Sequence, residues 1–369
     1  MDWFKNTSIH KKRITSLTGC CVLTLVLFSL ACSVLQAISA EPPGGPLTQQ
    51  HPRAKDWAFH PDNHPVDLNW KRQIESNLLW MIDRAENPPR YPNGASLVAV
   101  YADAGVWSLG ARSVVAALEA REIACEVLDW SRLTPPNLKR FDAVIFPGGF
   151  SYFQKLSAGT SGLDAVRKYV ANGGRYLGIC AGAYLAAKEV HWEGGEFPYP
   201  LQLFDGTAQG SIPEIAPWPR AGAAQLKITP AGQKLGLSEA NDQRIFYQGG
   251  CRFIGGTGIT RLANYFDGSP AIIQRAYGPG GEGMVVLSGV HFERPAPGQK
   301  SRGPSSPPML GTVVIPRLLG LTAPPSKTGQ VRFAAGKYAP TVTKTTSDEA
   351  WMVLQKRLRR RLSQLRANH

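Results

Sequence analysis

Beyond residue 95 the apolar positions fall into short runs separated by segments with a helical period. Leu97-Val98-Ala99-Val100-Tyr101, Ile123 to Leu128, Ala143-Val144-Ile145-Phe146 and Tyr176-Leu177-Gly178-Ile179 are such runs. Apolar runs of this length, interrupted only by Glu126 and Gly178, predict strands buried on both faces. Between them, residues 109–121 place Val114, Val115 and Leu118 on one helical face. Leu163 to Ala171 does the same and stops at Asn172-Gly173-Gly174. An earlier helix is predicted from Trp70 to Ala85, with Ile74, Leu78, Leu79, Met81 and Ile82 on its apolar face. The Pro/Gly run from Asn87 to Gly94 ends it. After Val190 the pattern shifts to short strands and loops: 224–228, 244–247, 271–276 and 283–289. Gly278-Pro279-Gly280-Gly281 marks a hairpin between the last two. Residues 295–308 form a Pro/Gly/Ser loop, and Thr312 to Leu319 a closing helix.

Alternating strands and helices of this length predict an α/β three-layer sandwich with a mostly parallel central sheet. Ligands in such folds sit at the C-terminal ends of the strands. Asp103, Gly148-Gly149 and Cys180 all fall at such ends.

The two ends of the chain read differently from this body. Lys5, Lys11, Lys12 and Arg13 precede an uncharged run from Ile14 to Ala40. A basic start, an apolar stretch and small residues at Ala37-Ile38-Ser39-Ala40 predict a signal peptide or an N-terminal membrane anchor over 1–40. In either case the body is expected to be exported, to the periplasm or the cell exterior. Residues 41–94 read as a linker with one helix, 95–322 as the catalytic domain, 323–347 as a second linker, and 348–369 as a basic amphipathic helix. In that last helix Trp351, Leu354, Leu358, Leu362 and Leu365 form a stripe, with Lys356, Arg357, Arg359, Arg360, Arg361 and Arg366 around it. Two uses of the stripe stand level: an anionic membrane surface, or docking on the protein's own domain. The net charge of +14 is drawn largely from these two ends. It says little about the body, and an Arg-rich tail without interleaved aromatics gives no reason to expect nucleic acid.

The chemistry centres on Gly178-Ile179-Cys180-Ala181-Gly182, a strand running into an Ala-rich helix. G-x-C-x-G is the cysteine form of the nucleophile elbow. The sharp turn leaves no room for side chains two residues either side of the nucleophile, and glycines supply that room. A cysteine nucleophile needs a base and a group to orient it. His291 and Glu293 follow the apolar run 283–289, and in extended backbone they point to the same side. An oxyanion hole would use the N–H of Ala181 with a loop N–H at Gly148 or Gly149. Asp103 is a rival partner for the thiol. Tyr152, Tyr184, Asp205, Tyr247 and Gln248 are candidates to line a substrate pocket; His191-Trp192-Glu193 could line its entrance, but a solvated loop is the preferred reading. Cys125 reads as core. Cys251 follows two glycines, so it reads as a loop residue that could pair with Cys180. No cysteine or histidine spacing matches a metal site, and no cofactor motif is present.

The ordered set Phe146-Pro147-Gly148-Gly149, Gly178 to Tyr184, Leu203 to Ala208, and Ser288-Gly289-Val290-His291-Phe292-Glu293 resembles the class I glutamine amidotransferase superfamily. More closely it resembles the amidotransferase-like domain at the N-terminus of some biotin–protein ligases, over about 95–320. The resemblance implies a flavodoxin-like three-layer fold. It also implies nucleophile Cys180, base His291, orienting Glu293 and oxyanion donors around Gly149 and Ala181. Two positions depart from glutamine-using members: Tyr184 stands where they carry Gln, and Phe292 where Pro is usual. These point away from glutamine, and no motif of biotin transfer is present. The expected function is an exported cysteine hydrolase or amidase that cleaves a small-molecule or peptide amide through an acyl-enzyme. The alternative is a protein of the same fold that binds at the cell envelope without turnover.

Overall fold

The structure, a computed structural model, describes residues 68–299, 309–321 and 340–367. The expected leader or anchor over 1–40, the start of the first linker and most of the second lie outside the described residues. No described helix is long and apolar enough to cross a membrane.

The chain enters as helix α1 (Leu68–Glu86) and strand β1 (Leu97–Tyr101). Helix α2 (Ser108–Glu119), β2 (Ala124–Leu128), the short α3 (Pro135–Leu138) and β3 (Ala143–Phe146) follow. Helix α4 (Ser151–Ala171), β4 (Arg175–Ile179) and the short α5 (Ala181–Ala186) complete the strand–helix alternation. Helix α4 starts twelve residues before the expected Leu163. Gly159, at φ +62, interrupts its helical backbone and hides the first half from a periodicity reading.

Next come β5 (Ala187–Trp192), β6 (Gly195–Pro198), β7 (Phe204–Gly210), β8 (Gly222–Gln225), β9 (Lys227–Ile228) and the short α6 (Pro230–Lys234). The body continues through β10 (Arg244–Tyr247), β11 (Arg252–Ile254), β12 (Ile259–Asn264), β13 (Pro270–Tyr277), β14 (Gly283–Ser288) and β15 (His291–Pro295). It closes with α7 (Met309–Leu318) and α8 (Asp348–Ala367).

The main sheet has the order β2-β1-β3-β4-β14-β13-β12-β9. It is parallel from β2 to β14 and antiparallel beyond. Every residue of β3, and of β1 after Leu97, is buried. Successive side chains point to opposite faces, so both faces are covered. This is the expected three-layer α/β fold. Two small sheets flank it, β15-β10-β8 and β11-β7-β5-β6. They carry His291, on β15, and Trp192, on β5, which lines a cavity.

Helix α8 is docked on the body of the chain. Ser347 caps it, its Oγ accepting from the N–H of Ala350 at 3.1 Å. Trp351, Leu358 and Leu362 are buried, and the helix packs on α1. Leu354 and Leu365, the rest of the stripe, are partly buried against the same core. The arginines find acids at strand ends. Arg359 grips Asp103 with two bonds of 3.0 and 2.8 Å, and Arg366 bonds Asp129 at 2.8 Å. Glu75 of α1 accepts from the backbone N–H groups of Thr341 and Val342 at 2.8 and 3.0 Å, tying down the approach to the helix.

Candidate active site

Cys180 sits between β4 and α5 at φ +50, ψ −103, a region that non-glycine residues rarely enter. Its surroundings enforce this. A Cβ on Gly178 would stand 2.5 Å from the carbonyl oxygen of Gly182, and one on Gly182 would stand 2.0 Å from that of Phe146. The Cys180 N–H donates to Ser288 O at 2.8 Å, which ties the elbow to the end of β14. The Cys180 carbonyl accepts from Ala183 and Tyr184, which starts the helix. Sγ lies 3.8 Å from the carbonyl oxygen of Gln248, within reach of a weak S–H bond.

The strand end that anchors the elbow also delivers the imidazole. Three residues past Ser288, His291 opens β15, and its Nδ1–H donates to Glu293 Oε1 at 2.7 Å. Both side chains are buried. Trp107 stacks on the ring at 6.1 Å and 27°, and Phe246 meets it edge-on at 5.5 Å and 85°. A Cβ on Gly148 would stand 2.4 Å from Cε1, so the loop can pass the ring only as glycine. The ring is fixed on every side named. Burial alone would push its pKa down. The Glu293 carboxylate, followed by Cys180, outweighs burial and raises it to about 10. The imidazole therefore holds its proton at neutral pH. Nε2 has no hydrogen-bond partner among the described residues, and Cys180 lies close enough to act on the ring's charge.

A cavity of about 50 Å³ opens on this group. Cys180, Ala181, Gly149, Tyr184 and Gln248 line it, together with aromatic rings from well-separated elements. The sequence expectations therefore divide. Cys180, His291 and Glu293 come together, with Gly149 and Ala181 beside the thiol. Gly148 lies against the imidazole and is not part of the lining; its carbonyl accepts from the Trp107 N–H at 3.1 Å.

Two of the proposed pocket residues lie elsewhere. Tyr247 is fully buried; its hydroxyl donates to Gly250 O at 2.9 Å and accepts from the Ile212 N–H, so it braces a loop. Tyr152 packs against Phe150 and Phe153 outside the lining. Asp205, on β7, pairs with Arg275 and Thr257. Asp103 is fully engaged: beyond Arg359 it accepts from the N–H groups of Ala104 and Trp130 at 2.7 and 3.1 Å. Cys125, Cys180 and Cys251 are all free thiols, and Cys251 is buried. His191 faces Glu189 at 3.1 Å on the β5–β6 hairpin, while its neighbour Trp192 turns into the cavity. With Glu196 these two form a set whose ligand atoms lie within 4.8 Å of one another, a grouping that no sequence spacing suggested. Trp70, Trp107, Phe150, Phe197, Tyr199 and Trp218 are lining residues that the sequence did not suggest, and Trp192 lines the cavity where a solvated loop was preferred. The available signal was compositional: nine tryptophans in one chain.

The family model described as "Biotin-protein ligase, N terminal" matches residues 98–309. The biotin–protein ligase of Schizosaccharomyces pombe is 29% identical over 211 residues, covering 51% of this chain and 32% of the ligase. An uncharacterised protein of Chlamydia muridarum is 33% identical over 163 residues, covering 41% of this chain and 60% of its own length. The phosphoribosylformylglycinamidine synthase subunit PurQ of Methanothermobacter thermautotrophicus is 47% identical over 57 residues, or 14% of this chain and 26% of PurQ. This chain thus spans about a third of the yeast ligase's length. Among solved structures, a glutamine amidotransferase matches over 61% of this chain and 99% of its own at 20% identity, with a TM-score of 0.42. The match of the family model over more than half of the chain makes the protein a member of the biotin–protein ligase N-terminal domain family.

Proposed function

We propose that the protein is a cysteine-dependent amide hydrolase. The observation that carries this reading is the buried Glu293–His291 pair beside a thiol on a strained elbow that opens on a cavity. The imidazolium stabilises the Cys180 thiolate, and Glu293 holds Nδ1 so that Nε2 is the ring atom available to the reaction. The thiolate sulfur attacks the amide carbon, and the oxygen's developing charge falls to the N–H groups of Ala181 and Gly149. As the C–N bond breaks, His291 gives its proton to the leaving nitrogen, and an amine departs from a thioester. Water then attacks the thioester carbon while His291 takes a proton from it. The acid leaves and the thiol is regenerated. Export, to the periplasm or the cell exterior, is part of the proposal and rests on the basic and apolar pattern of residues 1–40.

The test is the pH dependence of Cys180 alkylation, read by site in a mass spectrum, in the wild type and in His291→Ala. An activated thiolate gives fast labelling at pH 6 to 7 that the variant loses. Equal rates in the two proteins across the range would refute the assignment. A non-catalytic binding role is the second reading. The burial of the thiol, 3% exposed and within reach of Gln248 O, favours it. An acylated Cys180 trapped from a substrate mixture would exclude it.

A further inference from the structure

The cavity walls carry information about what is cleaved. Tyr184, Trp192 and Trp218 form a continuous edge-to-face chain, with centroids 5.7 and 5.4 Å apart. Trp70 and Phe150 stack at 6.0 Å in a second aromatic pair of the lining, and Trp107 joins these rings to the imidazole. The backbone is shaped around the rings. A Cβ on Gly249, which is at φ +59, would stand 2.6 Å from Trp218 and 3.0 Å from Trp192. One on Gly210 would stand 1.6 Å from the Tyr184 hydroxyl oxygen. That hydroxyl donates to Gly249 O at 3.2 Å and pins the same loop. Among the described residues, the polar side chains in the lining besides the cysteine and the tyrosines are Ser151, Gln248 and the indole N–H groups of the tryptophans, all neutral; no described Asp, Glu, Lys or Arg lines it.

Resting on the hydrolase reading, we infer that the group seated against Cys180 is small, uncharged and apolar or aromatic, and that free glutamine is not the substrate. An α-amino acid brings an ammonium and a carboxylate. Taking either out of water without an opposite charge is unfavourable; the described lining offers none, and the nearby His291 imidazolium is already paired with Glu293. A lone cation would gain from the aromatic faces. It would also sit near the protonated His291 under Trp107, with no carboxylate in the described lining to offset its lost hydration. A neutral ring or short alkyl group loses nothing of this kind. It gains flat aromatic contact at little cost in side-chain freedom, because the rings are already packed.

The experiment measures binding without turnover. Cys180→Ala protein is titrated with phenylacetamide, L-glutamine and phenyltrimethylammonium, followed by tryptophan fluorescence and calorimetry. Saturable phenylacetamide binding at least tenfold tighter than either charged probe supports the inference. Tighter binding of glutamine or of the ammonium ion, or no saturable phenylacetamide binding, overturns it. Trp218→Ala in the same background should weaken phenylacetamide about tenfold. A fold-independent check uses the wild type: phenylacetamide should slow iodoacetamide labelling of Cys180 and glutamine should not, and the reverse order overturns the inference. If phenylacetamide binds while Cys180 proves unactivated, the hydrolase reading fails and the assignment of the pocket stands.

Discussion

Arg359→Ala tests how the C-terminal helix is held. The Asp103 side chain is fully buried and that of Arg359 is 12% exposed, so solvent screens the pair little. Breaking a buried, hydrogen-bonded pair by removing one member costs about 3–5 kcal/mol. Asp103 keeps two backbone N–H donors after the change, which points to the lower end, about 3 kcal/mol. At two or more degrees of melting temperature per kcal/mol, that is a fall of roughly 6 °C. The pH dependence is the sharper signature. In the wild type burial pushes the Asp103 carboxyl up, but Arg359 and the backbone donors outweigh it and hold the group below its ordinary 3.8. Its contribution is therefore present above 3.8 and lost only as the pH falls through the lower folded value. Without Arg359 burial dominates and the folded value rises above 3.8. The variant's penalty is then full at pH 7 and shrinks as the pH falls toward 4. Urea unfolding of both proteins at pH 7, 5.5 and 4.5 measures this, with Arg361→Ala as a control. The Arg361–Glu86 pair is half exposed on the Arg side, so its loss should cost under about 1 kcal/mol. A difference below about 0.5 kcal/mol at pH 7 for Arg359→Ala, about half of a net hydrogen bond, or one that does not change with pH, would refute the reasoning.

Three further outcomes are expected. Gly182→Ala drives a methyl group against the Phe146 carbonyl, a backbone atom that cannot turn away. It should cost about 3 kcal/mol or abolish folding, and a melting temperature equal to the wild type's would contradict the elbow sterics. Gly148→Ala instead meets the edge of the His291 ring. It should lower Cys180 labelling at pH 7 by about a hundredfold, as expected for a displacement near 1 Å, with the fold retained by circular dichroism. Glu293→Gln removes the main source of the raised His291 pKa. The ring's Cε1–H resonance should titrate well below the wild-type value of about 10. In the wild type the pair's stabilisation is complete below the ordinary 6.5 and is lost as the pH rises through about 10, so the stability gap between wild type and Glu293→Gln should close toward alkaline pH.

These predictions rest on features of unequal visibility in the chain. The elbow was legible because its requirement is local: the spacing of Gly178, Cys180 and Gly182 follows from atoms within one turn. His291 and Glu293 were legible for a similar reason, since period two puts them on one side of a strand. The parallel part of the sheet followed from short apolar runs. The aromatic cavity was not legible. Trp70 comes from α1, Trp107 and Phe150 from loops after β1 and β3, Trp192 from β5 and Trp218 from the stretch between β7 and β8. No periodicity links residues that meet only through topology. Tyr152 and Tyr247 were placed near the site by chain position, yet the first faces its own helix's neighbours and the second braces a turn.

The C-terminal helix shows the same limit at longer range, and it bears on the site. Its amphipathic stripe was plain in the sequence. Its target was not, because Arg359 and Asp103 lie 256 residues apart. Asp103 opens the loop after β1, and that loop is bonded directly to the one that holds Gly148 and Gly149. Gly105 O accepts from the Phe150 N–H at 2.8 Å, and the Trp107 N–H donates to Gly148 O at 3.1 Å. A Cβ on Gly149 would stand 2.1 Å from Gly105 O, so the two loops touch without room for a side chain. A pull on Asp103 therefore reaches the Gly148–Gly149 peptide through two backbone bonds and one glycine contact. It also reaches the Trp107 ring that covers the imidazole. Helix α8 is thereby joined, through Asp103, to the loop that packs against Gly149 and carries Trp107. Of the tail's arginines, Arg359 and Arg366 hold the carboxylates that follow β1 and β2, and the geometry at Gly149 is expected to depend on the first of these contacts.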